Sequence, residues 1–184
     1  MFEGRDMAGP GTLASLGDIM QLAFVPSDFD AAVRHWTEVM GAGPFFLLPN
    51  VSLPGGRYRG EASDPMFTMA LGYWGDMQIE LIRPENDAKS LYRGEYAVGE
   101  GLHHVCVLVD SIAEARTRCG EVGAEIIFEA PVGETGGVIY ADPGTGPGTL
   151  VELLEPQAGT RELFAMMREA AKGWDGSEPL RSLG

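Results

Sequence analysis

Cysteine is scarce: only Cys106 and Cys119 occur in 184 residues, and neither belongs to a Cys-x-x-Cys pair. That argues against a disulfide-stapled scaffold and makes a reducing cytoplasm the expected compartment. Positive charge is scarce too, with 13 Lys and Arg against 27 Asp and Glu and a net charge of −14. A surface of that sign repels phosphate backbones, so nucleic acid is not an expected partner. No apolar run approaches the roughly 20 residues that span a bilayer. The opening Met1-Phe2-Glu3-Gly4-Arg5-Asp6 lacks the basic-then-apolar pattern of a secretion signal. Neither membrane insertion nor export is expected. Histidine is limited to His35, His103 and His104. The glycine-rich Pro143-Gly144-Thr145-Gly146-Pro147-Gly148 has no helix pattern after it, so it lacks the geometry that cradles phosphate. With 45% hydrophobic and 22% charged residues, what remains is an ordinary globular chain.

That chain repeats itself. Met20-Gln21-Leu22-Ala23-Phe24-Val25 and His103-His104-Val105-Cys106-Val107-Leu108-Val109 both have strand composition, and Asp28 or Asp110 follows. An amphipathic helix comes next in each copy. The first, capped by Asp28, carries the stripe Phe29, Ala32, Val33, Trp36, Val39 and Met40 and stops at Gly41. The second, capped by Asp110 or Ser111, carries Ile112, Ala115, Cys119 and Val122 and stops at Gly123. Phe29 and Ile112, Trp36 and Cys119, and Gln21 and His104 all lie 83 positions apart. Three further strands close each copy, ending in Ile79-Glu80-Leu81-Ile82-Arg83-Pro84 and Val151-Glu152-Leu153-Leu154-Glu155-Pro156. A longer loop of about Pro49 to Pro65, rich in Pro and Gly, distinguishes the first copy and could form a lid.

The expected fold is therefore α+β, built from two tandem βαβββ modules around an open-barrel cavity. The segments are an N-terminal arm (1–17), a first module (18–84), a linker helix (85–99), a second module (100–156) and a C-terminal helix with a tail (157–184).

Side chains alternate along a strand with period two. Gln21 and His104 hold the same register in the first strands, and Glu80 and Glu152 in the last. A pseudo-twofold axis would bring all four to one point. Three oxygen donors and one nitrogen donor suit a divalent ion of intermediate hardness, one per chain, such as zinc, nickel, cobalt or manganese. Two bland readings compete. A lone His in an apolar strand is often a satisfied core residue, and a Glu facing water on a half-exposed strand costs nothing. An inward Glu needs a cation partner, because an unpaired buried carboxylate costs several kcal/mol. His103 is read as a structural residue facing the helices. Cys106 and Gln78 share the faces of His104 and Glu80, which makes both candidate cavity residues. Phe45, Phe46, Tyr58, Phe67, Tyr73 and Trp74 cluster near the expected lid, with Phe46 and Trp74 as candidate substrate contacts. Arg57, Arg59, Lys89 and Arg93 are either solvated or meet an anionic part of a substrate.

Over about residues 18–156 the pattern resembles the vicinal-oxygen-chelate superfamily, the glyoxalase/bleomycin-resistance/dioxygenase fold. The resemblance rests on the paired modules, on Glu100-Gly101-Leu102-His103-His104-Val105, and on the two closing strands. Gly101-Leu102-His103-His104 with Val151-Glu152-Leu153 is similar to the methylmalonyl-CoA epimerase branch. Gln21, Glu80, His104 and Glu152 resemble the Gln/Glu/His/Glu ligand set of some glyoxalase I enzymes, where epimerases carry His and Gln in the first two places. The resemblance implies a metal-dependent isomerase, epimerase or lyase. In that chemistry Glu80 or Glu152 removes a proton next to a carbonyl, and the metal stabilises an enediolate. It also implies a carbonyl or thioester substrate with an apolar or aromatic part, and a homodimer. Ring-cleaving dioxygenases need two His at the metal, and this chain places one there. A metal-free binding or resistance protein of the same fold is the rival from another class.

Overall fold

The computed structural model describes residues 11–183, so the first ten residues of the expected N-terminal arm lie outside the described residues. The repeat takes the form of two βαβββ modules. The first contains β1 (Ile19–Phe24), α1 (Phe29–Arg34), β2 (Phe45–Ser52), the short β3 (Arg57–Tyr58) and β4 (Glu61–Ala62), β5 (Met66–Trp74) and β6 (Met77–Pro84). The second contains β7 (Leu102–Leu108), α2 (Ile112–Val122), β8 (Glu125–Val132), β9 (Gly136–Asp142) and β10 (Leu150–Glu155). α3 (Thr160–Ala171) and β11 (Leu180–Ser182) follow.

Within each module the first strand lies parallel to the last, β1 beside β6 and β7 beside β10. β1 and β7 then meet antiparallel and join the modules. The order β2-β5-β6-β1-β7-β10-β9-β8 is thus the same module sequence read outward from the middle in both directions. Phe29 and Val33 of α1 pack on Ile79 and Leu81, and Ala115 and Cys119 of α2 pack on Ile139 and Leu153. Alternation turns the neighbours of those strand residues, Glu80 and Glu152 among them, to the opposite face.

The helices show why the sequence pattern works and where it stops working. Asp28 caps α1 by accepting from the Ala31 amide at 2.9 Å, and Ser111 caps α2 by accepting from Glu114. Gly123 ends α2 in the left-handed region, with φ of 73°. The first helix, expected to run to Met40, leaves the α conformation at Arg34 and continues as a π-turn over His35–Val39. The wider turn shifts the phase of the apolar stripe, and Val39 ends 70% exposed.

The linker is not a helix. Between residues 85 and 99 the only regular element is a 3-10 turn, Gly94–Tyr96. Leu91, Tyr92 and Tyr96 are buried between the modules, against Ile82 and Ile127. The Pro- and Gly-rich loop is likewise more anchored than a free lid. Four residues carry the chain from β2, near one end of the sheet, to β3, which pairs with β8 near the other end. Five Cα steps span at most about 19 Å, so the sheet must bend round until its two edges face each other. The segment is a strap between those two edges. Gly56 lets it pass, because a Cβ there would stand 2.8 Å from the Phe128 ring and from the Ser63 carbonyl. α3 buries Met167 against Phe46, Leu71 and Tyr73. The tail, without periodicity in the sequence, adds β11 parallel to β2. No helix among the described residues is long and apolar enough to cross a membrane.

Candidate metal centre

Four central strands set the site by register alone. Ala23 of β1 is level with Glu80 of β6 and His104 of β7, while Cys106 of β7 is level with Gln21 and Glu152. Gln21, Glu80, His104 and Glu152 are 4%, 6%, 0% and 7% exposed, too buried for the solvated-Glu reading. His104 Nε2 stands 3.4 Å from Glu80 Oε2 and 3.2 Å from Glu152 Oε2. One ligand atom from each of these three residues lies within 4.8 Å of the others. Gln21, Glu80 and Glu152 open on one cavity of about 310 Å³.

Hydrogen bonds decide which atoms face that point. Gln21 donates its amide N–H to Gln78 Oε1 at 2.7 Å, and Gln78 donates in turn to the Tyr73 hydroxyl at 3.2 Å. The oxygen of Gln21, not its nitrogen, is therefore left free. His103 Nε2 is 2.8 Å from the Leu91 carbonyl, which can only accept, so that nitrogen carries a proton. His103 Nδ1, 2.8 Å from His104 Nδ1, is then the acceptor in neutral His103, and His104 Nδ1 is the donor. When His104 is neutral, its Nε2 presents a bare lone pair to the two carboxylates. This corrects the reading of His103 as a residue turned to the helices. The β1–β7 register slips between Ala23–His104 and Phe24–Leu102, so His103 is the extra residue of a bulge. A bulge breaks the two-residue alternation and lets neighbouring side chains meet.

Three buried side-chain atoms without a hydrogen-bond partner converge here: Gln21 Oε1, Glu80 Oε2 and His104 Nε2. Each buried unpaired polar atom costs about 1–3 kcal/mol. Three oxygen-bearing side chains and one imidazole form a donor set that a divalent cation fits.

Protons occupy this charge pattern in the metal-free chain. Burial alone would push the His104 imidazole down, but the Glu152 and Glu80 carboxylates, 3.2 and 3.4 Å away, outweigh it and hold the pKa up at about 9. Burial pushes the Glu80 carboxyl up against the opposing pull of His104. Burial and the neighbouring imidazole drop His103 to about 3, so it stays neutral. A group raised above its unfolded value near 6.5 gives its full stabilisation below that pH and loses it as pH climbs to about 9. The metal-free protein is therefore expected to lose melting temperature between those pH values. His104→Gln should flatten that decline, and a wild-type melting temperature constant across the window would contradict the ion-pair geometry.

Several expected contacts sit elsewhere. Trp74 is 51% exposed and makes an edge contact with Trp36. Phe46 packs with Met167 and Tyr73 under α3 and does not line the cavity. Gln78 is wholly buried behind Gln21. Cys106 is also buried and is not among the residues lining the cavity; burial, reinforced by Glu152 and Glu80, keeps it a neutral thiol. Arg59, Lys89 and Arg93 pair with Glu95, Glu61 and Asp87 instead of entering the cavity. Sequence reasoning missed Tyr140, which lines the cavity, is level with Glu152, and sets its ring edge-on to His104 at 5.1 Å. Its hydroxyl meets that of Tyr92 at 3.2 Å. Its strand register relative to Glu152 was the available signal.

A mixed sheet of two paired βαβββ modules around a buried cluster of His and carboxylates defines a class of protein, and the sequence comparison agrees. The family model of the Glyoxalase/Bleomycin resistance protein/Dioxygenase superfamily matches residues 20–141, and the chain belongs to that superfamily. Among solved structures, methylmalonyl-CoA epimerase from Mycobacterium tuberculosis is similar at 18% identity and a TM-score of 0.53, covering 86% of this chain and 98% of that one. A hypothetical protein from Bacillus halodurans is similar at 21% identity and a TM-score of 0.53, covering 76% of this chain and 94% of its own. At such identities the likeness is one of fold. No curated protein matches the sequence.

Proposed function

We propose that the protein is a divalent-metal-dependent isomerase, epimerase or lyase that moves a proton on the carbon beside a carbonyl or thioester. The observation that carries this reading is the buried Glu80–His104–Glu152 cluster on a cavity wall. Gln21, Glu80, His104 and Glu152 would hold the ion. Zinc, nickel, cobalt or manganese bound there would supply a Lewis acid for two neighbouring substrate oxygens. Glu80 and Glu152 come from equivalent strands of the two modules, on either side of His104. One carboxylate takes the proton from the substrate carbon and the other returns it to the next atom or the opposite face. The Tyr140 phenol, kept neutral by burial and by the Glu152 charge, is a hydrogen-bond donor at the same wall. A cytoplasmic location is part of the reading, supported by two buried free thiols. So is a homodimer, supported by the exposed Trp74 and Val39.

The test is the metal content of dialysed protein together with solvent deuterium exchange into carbonyl substrates. About one tightly held divalent ion per chain is expected. Negligible uptake after incubation with all four metals would overturn the reading in favour of a metal-free binding protein.

A further inference from the structure

The cavity carries its charge at one place and the rest of its wall is largely apolar, broken by the uncharged Ser52, Tyr140, Gln157 and Thr160, which restricts what can enter. Beyond Glu80 and Glu152, its walls include Val51 and Met69 from the first module, Val138 and Leu154 from the second, Leu53 from the strap and Phe164 from α3. Among the described residues, no Lys or Arg lines it. Arg59, Lys89 and Arg93 border a separate shallow recess, each beside a carboxylate partner. A divalent ion held by two carboxylates leaves no net charge to attract an anionic tail, and a chain of net charge −14 repels one.

We propose that the substrate is an uncharged molecule with an apolar body and two neighbouring oxygens at one end. The oxygens face Glu80, His104 and Glu152, and the body lies against Val51, Met69, Val138 and Phe164. Phosphate-bearing thioesters and glutathione conjugates are not substrates. This rests on the metal-dependent reading for the oxygen end alone; the apolar body is argued from the walls.

Hydroxamates test both parts, because their two adjacent oxygens chelate divalent ions. Acetohydroxamate, octanohydroxamate and an octanohydroxamate ending in a carboxylate are titrated against zinc-loaded and metal-free protein by calorimetry and ligand-observed NMR. Burying one methylene is worth about fourfold in affinity, so six more methylenes at half burial give about 50-fold. The octanoyl compound is expected to bind zinc-loaded protein about 50-fold more tightly than acetohydroxamate, and the terminal carboxylate should cancel most of that gain. Phe164→Ser should narrow the gap several-fold, while Met166→Ser, on the exposed side of α3, should leave it as it is. Zinc uptake with no preference for the uncharged tail overturns this inference and leaves the metal reading standing. A tail preference in protein that takes up no zinc overturns the metal reading and leaves the apolar body standing. A tail effect indifferent to Phe164→Ser places the body outside this cavity and overturns the inference.

Discussion

Glu152→Gln is expected to slow solvent deuterium exchange into the substrate by about 10²- to 10⁴-fold, the usual contribution of a positioned general base. The amide keeps the volume and one oxygen donor of the carboxylate, so the cavity wall and the contact toward His104 persist. What disappears is the capacity to accept a proton. Glu80→Gln tests the other side of the same step, because Glu80 occupies the equivalent place in the first module. If the two carboxylates serve opposite sides of the reacting carbon, each variant loses net turnover by a similar factor. Each should still bind a chelating hydroxamate, with an affinity reduced far less than the rate. NMR of the substrate in deuterium oxide reads the exchange, and thermal melting confirms that each variant folds. Wild-type exchange in Glu152→Gln would remove that residue from the chemistry, and wild-type exchange in both would remove the mechanism.

The equivalence of these carboxylates is also what makes their convergence legible in the sequence. An offset of 83 residues ties Gln21 to His104, and the same offset ties Ala23 to Cys106. In the sheet, Ala23 is level with Glu80, and Cys106 with Glu152. A duplicated module carries its register with it, so period-two alternation sufficed to place four polar side chains on one face. The same reasoning failed wherever a local geometry broke the period. The bulge at His103 put that ring against His104, and the π-turn after Arg34 rotated Val39 into solvent. Other misses were non-local. Nothing in the β2–β5 loop announces that Tyr58 will pair with Phe128, which lies 70 positions on. A C-terminal helix is expected from the sequence, but nothing there says that Leu163 and Phe164 line the cavity. Leu91, Tyr92 and Tyr96 fall within the expected linker helix, and nothing in the sequence signals their burial, which depends on a space that only the folded modules create.

Metal affinity should fall in a graded series that separates residues that hold the ion from one that aims a ligand. Four-ligand zinc sites of small domains bind with about 10–16 kcal/mol, or about 3 kcal/mol per ligand and about 100-fold in affinity. His104→Ala with Glu152→Ala is thus expected to weaken binding by about 10⁴-fold, enough to lose the ion on dialysis. His103 would touch no metal in this arrangement, yet it takes the proton of His104 Nδ1 while its own Nε2–H is fixed on the Leu91 carbonyl. Losing such a partner typically costs 10–100-fold in metal affinity. His103→Leu should show about that loss. Without the acceptor, His104 is free to place its proton on Nε2 and turn a donor toward the cluster. His103→Gln offers an oxygen to His104 and an N–H to Leu91, and should recover part of the loss. Long-range ¹H–¹⁵N spectra of the metal-free protein, at a pH above about 9 where His104 is neutral, supply the reading that simple destabilisation would not change. Wild type should show His104 protonated on Nδ1 only, and folded His103→Leu a mixture of tautomers. Wild-type affinity and an unmixed tautomer in His103→Leu would mean that the strand alone orients His104, and that His103 serves only to tie the linker to β7.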